Sequence, residues 1–175
     1  MRSRNLAGAA LAVVFLFAQA GQADNAASTT EPKPAAPDNQ PAATEQRWFT
    51  SLDQAQAEAR KSGKPILADF TGSDWDPRCV KLRKEVFDTK PFKDWAAKSV
   101  VLLEVDFPQK KPQDDATRKA NSDLAAKYEI KGFPTVVFLA ADGKVLGKSG
   151  YQPGGPAAWT TNAQKILDAK KPAAK

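Results

Sequence analysis

Cys79 and the carboxylates that precede it are the side chains of this sequence whose types and spacing could do chemistry. Cys79 is the single cysteine of 175 residues, and histidine is absent. An intramolecular disulfide therefore cannot form, and Cys-His catalysis, Ser-His-Asp catalysis and histidine-based zinc or copper sites lack their parts. What remains is the chemistry of one thiol: attack on a disulfide by its thiolate, pairing with a thiol of another molecule, or plain burial. Asp76 stands three residues ahead of Cys79. Asp74 and Asp76 without further ligands make a poor calcium site, so neither a metal nor a cofactor is expected.

The elements around the thiol follow from the stretch ILADFTGSDWDPRCVKLRKEVF, Ile66 to Phe87. Ile66, Leu67, Ala68 and Phe70 form an apolar run of strand length interrupted by Asp69, and Thr71 to Asp74 supply turn chemistry. A helix then begins. Asp76 is a favoured N-cap residue, Pro77 suits the first helical position, and Cys79, Leu82, Arg83 and Val86 follow at helical spacing. Cys79 thus falls in the first turn. An ionised Asp76 capping the helix accepts the N–H of Arg78 or Cys79, and its charge disfavours a second anion on the thiol. The helix dipole opposes this by about 0.3 to 1 kcal/mol, but Asp76 already uses it. The expectation is a sluggish, mostly protonated thiol. A buried packing role for Cys79 and a capping role for Asp76 explain the same residues.

Further along, Ser51-Leu52-Asp53-Gln54 matches a capping box opening a helix with Leu52, Ala55 and Ala59 on its inner side, stopped by Gly63 and Pro65. Pro91, Phe92 and Trp95 suggest a short segment that packs aromatics. The run from Ser99 to Phe107 reads as a buried parallel strand. Pro108 to Pro112 is an insertion, and Asp114 or Asp115 caps a helix with Ala116, Ala120, Leu124, Ala125 and Tyr128 as its inner stripe. Thr135 to Leu139 and Lys144 to Lys148 flank Asp142-Gly143, a hairpin signal, and Gly154-Gly155-Pro156 opens a last helix carrying Trp159, Ile166 and Leu167. Helices alternating with strands predict an α/β fold with a central mixed sheet covered by helices on both faces.

A strand with an acid in it, a tryptophan, a helix-starting motif ending in cysteine and a distant Gly-x-Pro-Thr together resemble the thioredoxin family. Here they are Asp69, Trp75, Asp76-Pro77-Arg78-Cys79 and Gly132-Phe133-Pro134-Thr135, with a separation of about 55 residues that accommodates an insertion. The resemblance covers roughly Arg47 to Ala169 and implies the thioredoxin fold. In that family the first cysteine of C-x-x-C is the exposed nucleophile and the second resolves the mixed disulfide. Asp76 occupies the nucleophile's position and Cys79 the resolving position, so the active site is degenerate and the two-cysteine cycle is not expected. Asp69 matches the family's buried acid beneath the second cysteine. The resemblance further implies a cis Phe133-Pro134 bond facing the turn, with Trp75, Phe133, Pro134 and Thr135 offering a surface on which an extended peptide can dock. The Gly132 to Thr135 segment equally suits a simple turn into its strand.

Domain organisation follows. Residues 1–23 carry Arg2 and Arg4, an apolar run from Leu6 to Ala18 and small residues, the pattern of a secretory signal peptide too short to span a membrane. Residues 24–46 are an Ala/Pro-rich linker without periodicity, 47–169 the thioredoxin-like domain, and 170–175 a basic tail. The net charge of +6 falls to about +4 without the signal peptide, too little to suggest nucleic-acid binding. The expected protein is exported, to a bacterial periplasm or the exterior, without membrane insertion after signal removal. It is expected to act by binding a protein or peptide; the competing expectation is single-cysteine thiol-disulfide exchange through Cys79 with a partner thiol.

Overall fold

The computed structural model describes residues 47–170. The signal-peptide and linker readings at 1–46, and the tail beyond Lys170, lie outside the described residues. The elements are β1 (Trp48–Phe49), α1 (Leu52–Ser62), β2 (Ile66–Thr71), α2 (Pro77–Leu82) continued by a π-helical turn (Arg83–Phe87), α3 (Lys90–Ser99), β3 (Val101–Asp106), α4 (Asp115–Lys127), β4 (Thr135–Leu139), β5 (Val145–Ser149) and α5 (Gly155–Asp168).

The five strands form one mixed sheet in the order β1-β3-β2-β4-β5. β3 runs parallel to both β1 and β2, whereas β4 is antiparallel to β2 and to β5. β2 is the central strand, and all six of its residues are buried because helices cover both faces. Alternation along the strands sorts the core into two layers. Leu67, Leu102, Val136 and Phe138 pack against Leu82, Phe87, Phe92 and Trp159 from α2, the π turn, α3 and α5. Ile66, Phe70, Leu103 and Val137 pack against Ala55 and Ala59 of α1 and Tyr128 at the end of α4. The same alternation points Asp69 and Thr71 toward the α2 side.

Local chemistry explains the boundaries. Gly63, at φ 69°, ends α1 in the left-handed conformation that glycine adopts without steric cost. In the π turn the Asp88 N–H reaches back to the Arg83 carbonyl at 2.8 Å, and the consecutive Val86 and Phe87 are both buried. Trp159 anchors the first layer: its ring meets Phe87, Phe92, Trp95 and Phe138 at centroid distances of 5.3 to 6.3 Å, and its indole N–H donates to the Gly150 carbonyl at 2.9 Å.

Two local expectations are corrected, and one element is added. Ser51 precedes α1, but its side chain makes no capping hydrogen bond. Ala116 and Ala120 of α4 are exposed, and the inward position is taken by Asn121, whose amide donates to the Asp106 carbonyl at 2.8 Å. A polar anchor thus sets the rotation of a helix whose apolar stripe is weak. The two-residue strand β1, too short to show alternation, was not foreseen; it adds an edge through Trp48 beside Leu102 and Phe49 beside Leu103.

Candidate functional site

The site is built where β2 ends. Thr71 to Trp75 turn the chain out of the sheet, and Asp76, at φ −85° and ψ 118°, caps α2. Its Oδ1 accepts the Arg78 N–H at 2.8 Å and the Cys79 N–H at 3.1 Å, and Arg78 lies 3.5 Å from Oδ2. Asp76 is only 6% exposed. Desolvation pushes its pKa up, but the Cys79 and Arg78 N–H groups and the Arg78 guanidinium outweigh this and hold the carboxyl below its ordinary range. It is a fixed, ionised cap.

Cys79 is 3% exposed and its sulfur accepts the Gly72 N–H at 3.3 Å. Burial raises the thiol pKa above its ordinary value. The Thr71 hydroxyl and the Gly72 N–H act against that rise, and the negative charges of Asp76 and Asp69 add to it. The thiol is therefore protonated at neutral pH and a poor nucleophile. Beneath it, Asp69 is 4% exposed and its Oδ1 has no hydrogen-bond partner. Desolvation lifts its pKa from 3.8 to about 7; Arg83 lowers it, while Glu104 and Asp106 raise it. Arg83 is ion-paired with Glu104, so its charge is shared between two carboxylates.

Phe133–Pro134 is a cis peptide bond. Thr135 is half-buried, and its hydroxyl donates to the Gly132 carbonyl at 2.6 Å, closing the turn that leads into β4. Trp75 is half-buried and bridges the two halves of the site. Its ring meets Phe133 edge to face at 6.0 Å, and its indole N–H donates to the Phe107 carbonyl at 2.8 Å. The structure thus brings Asp69, Trp75, Asp76, Cys79, Phe133, Pro134 and Thr135 to one end of the sheet.

Several residues that complete this arrangement are given no such role by the sequence. Phe107 stacks on Phe133 at 5.0 Å. Asp106 takes the Ser73 N–H at 3.0 Å and the Ser73 hydroxyl at 2.6 Å. Asp74 accepts the backbone N–H groups of Gln109, Lys110 and Lys111 at 2.8 to 3.0 Å, so it fastens the insertion beside the site. The available signal was the insertion's length; its attachment to Asp74 is a long-range contact that no local pattern encodes.

Gly72 is where the turn is tightest. A Cβ there would lie 2.5 Å from the Trp75 ring. The ring is held by Phe107 and Phe133, so Gly72→Ala is expected to cost about 1 to 3 kcal/mol through overpacking. Thermal unfolding measures this; an unchanged midpoint would show that the indole moves aside freely.

A mixed sheet of this order, with a capped helix start facing a cis-proline turn, defines a thioredoxin-like α/β domain. Residues 52–162 match the family described as thioredoxin-like domain, and the chain belongs to that family. It is 38% identical over 126 residues to the disulfide bond reductase DsbH of Chlamydia pneumoniae, an alignment covering 72% of this chain and 75% of that protein. A solved DsbH oxidoreductase superposes with a TM-score of 0.68 at 35% identity, covering 82% of this chain and 97% of the other. A thioredoxin from Thermus thermophilus, at 17% identity and a TM-score of 0.52, shares the fold and covers 71% of this chain and 88% of its own. Among the described residues, no helix is long and apolar enough to cross a membrane, and no cluster of three or more His, Cys, Asp or Glu could hold a metal ion.

Proposed function

We propose that this chain is an exported thioredoxin-like domain that serves a thiol-disulfide system by docking a protein or peptide over Trp75, Asp76, Phe133, Pro134 and Thr135, without performing the two-cysteine cycle itself. The observation that carries this reading is the pair of hydrogen bonds from Arg78 and Cys79 to Asp76: a fixed carboxylate sits where a nucleophilic thiolate is needed. A carboxylate does not exchange disulfides, and the neighbouring thiol is buried and protonated. Docking needs neither, since an extended peptide binds through backbone groups and aromatic contacts. The 38% identity to a protein named a disulfide bond reductase supports the thiol-disulfide setting. The signal-peptide pattern at 1–23 supports export.

The test is binding of an unfolded polypeptide whose own thiols have been blocked. Wild type and Cys79→Ser should bind it equally, and Trp75→Ala, checked for an intact fold, should lose it. Binding that vanishes in Cys79→Ser would overturn the reading.

One observation favours a second reading. The Cys79 residue borders a crevice of about 340 Å³ that also reaches Thr71, Arg83, Glu104 and Asp106. In single-cysteine exchange the Cys79 thiolate would attack one sulfur of a disulfide, form the mixed disulfide and expel the other sulfur as a thiolate. A partner thiol would then release the product. Alkylation separates the two readings: at mildly alkaline pH, folded Cys79 should react at least about an order of magnitude more slowly than in the unfolded chain, because local opening must precede attack. A folded rate matching the unfolded one would overturn the protected thiol and favour the exchange reading.

A further inference from the structure

On the outer side of the cis-proline turn lies a groove of about 470 Å³ whose lining includes Arg78, Glu129, Lys131, Phe133, Pro134 and Lys148. Phe133 and Pro134 share the lining with polar groups, and its charged residues are three cations against one carboxylate. Arg78 is 67% exposed on its side chain, leaving most of its guanidinium in solvent beyond the 3.5 Å approach to Asp76. Lys148 is fixed by one hydrogen bond, from Nζ to the Tyr128 carbonyl at 2.6 Å, and an ammonium has three donors. Lys131 makes no ion pair among the described residues. These cations come from three separate places, the start of α2, the turn before β4, and β5, and they converge only in the folded chain.

From this charge arrangement we infer that the segment docked beside Phe133 and Pro134 is acidic: an extended stretch of a partner protein with Asp or Glu on the side chains facing Arg78, Lys131 and Lys148. The inference rests on the docking reading above and adds the chemistry of what is docked. An extended segment presents alternate side chains to one side, so carboxylates two residues apart meet successive cations on the rim while the backbone lies along the turn. Glu129, the one carboxylate in the lining, repels an acidic side chain placed beside it. A basic segment meets three like charges and is disfavoured, which is how a rim of one sign selects partners.

The experiment uses the full chain and three fluorescent peptides of equal length, alternating Thr with Glu, Thr with Gln, or Thr with Lys, none containing cysteine. Anisotropy at low ionic strength should show the Glu peptide binding roughly tenfold more tightly than the Gln peptide, a few exposed ion pairs together supplying that ratio. The preference should shrink as salt is added. In the double variant Arg78→Glu, Lys131→Glu it should invert, with the Lys peptide now bound best. Equal binding of the Glu and Gln peptides, or an unchanged ratio in the double variant, would overturn the acidic preference while leaving docking intact. If no peptide bound at any salt concentration, both the preference and the docking reading would fall.

Discussion

Asp76→Cys is expected to raise reduction of a protein disulfide from the uncatalysed background to sustained turnover, with dithiothreitol as terminal reductant. The thiol introduced at position 76 stands at a helix N-terminus, where thiol pKa values fall to about 3.5 to 7.5. Its thiolate attacks a substrate disulfide, expels one sulfur as a thiolate and forms the mixed disulfide. Cys79, one helical turn further on, then attacks the sulfur at position 76 and releases the second substrate thiol. The loss of the Asp76 charge also removes one of the influences that hold the Cys79 proton in place. The substitution deletes a cap that accepts two N–H groups, so it costs about 1 kcal/mol of stability. The measurement is precipitation of insulin on reduction, with Asp76→Cys combined with Cys79→Ser as the control, which lacks the internal resolving thiol and should trap the mixed disulfide when dithiothreitol is left out. A folded Asp76→Cys chain without gain would mean that disulfides do not reach position 76.

Stability should fall as pH rises from about 4 to about 7, and Asp69 is the cause. Its pKa is 3.8 ordinarily and about 7 in the folded chain. Between those values the native state holds a proton that the unfolded chain has released, so each step up in pH favours unfolding. Below pH 4 both states are protonated and the penalty vanishes; above pH 7 both are ionised and it is constant. At 1.36 kcal/mol per pKa unit the full penalty is at most about 4 kcal/mol, a large share of a domain's typical 5 to 15 kcal/mol. Asp74, Asp76 and Asp114 are shifted downward, so their contributions are lost only on acidification below about pH 4 and do not mask this window. Denaturant unfolding across the range should show the decline in wild type and its loss in Asp69→Asn. An equally steep decline in that variant would assign the effect to other groups.

The two effects are opposite uses of one location. Asp76 is buried at a helix start, where two N–H groups compensate its charge; Asp69 is buried under the same helix with an orphaned oxygen, and the arginine that lowers its pKa, Arg83, is ion-paired with Glu104. Identical side chains seven residues apart thus differ in charge state near neutrality. Burial raises both, and what separates them is the hydrogen bonds and cation beside Asp76 against the neighbouring carboxylates around Asp69.

The sequence by itself determined whatever is carried by local pattern. Apolar runs of strand length fixed β2 and β3, Asp76-Pro77 fixed the start of α2 and with it the Cys79 position, Asp142-Gly143 fixed the hairpin, and the motifs at 69–79 and 132–135 were enough to indicate the family that residues 52–162 match. The absence of a second cysteine and of histidine narrowed the chemistry before any fold was known. Tertiary structure alone decided the rest. Asn121 displaced Ala116 and Ala120 from the inner face of α4 because a hydrogen bond to the Asp106 carbonyl outweighs two small methyl groups. Asp74 gained its role from N–H groups 35 to 37 residues away, and the rim cations come together from Arg78, Lys131 and Lys148. A local pattern encodes which way a residue faces along its own helix or strand. Which distant group satisfies a buried charge depends on how the layers pack, and that is where Asp69 and Asp76 part.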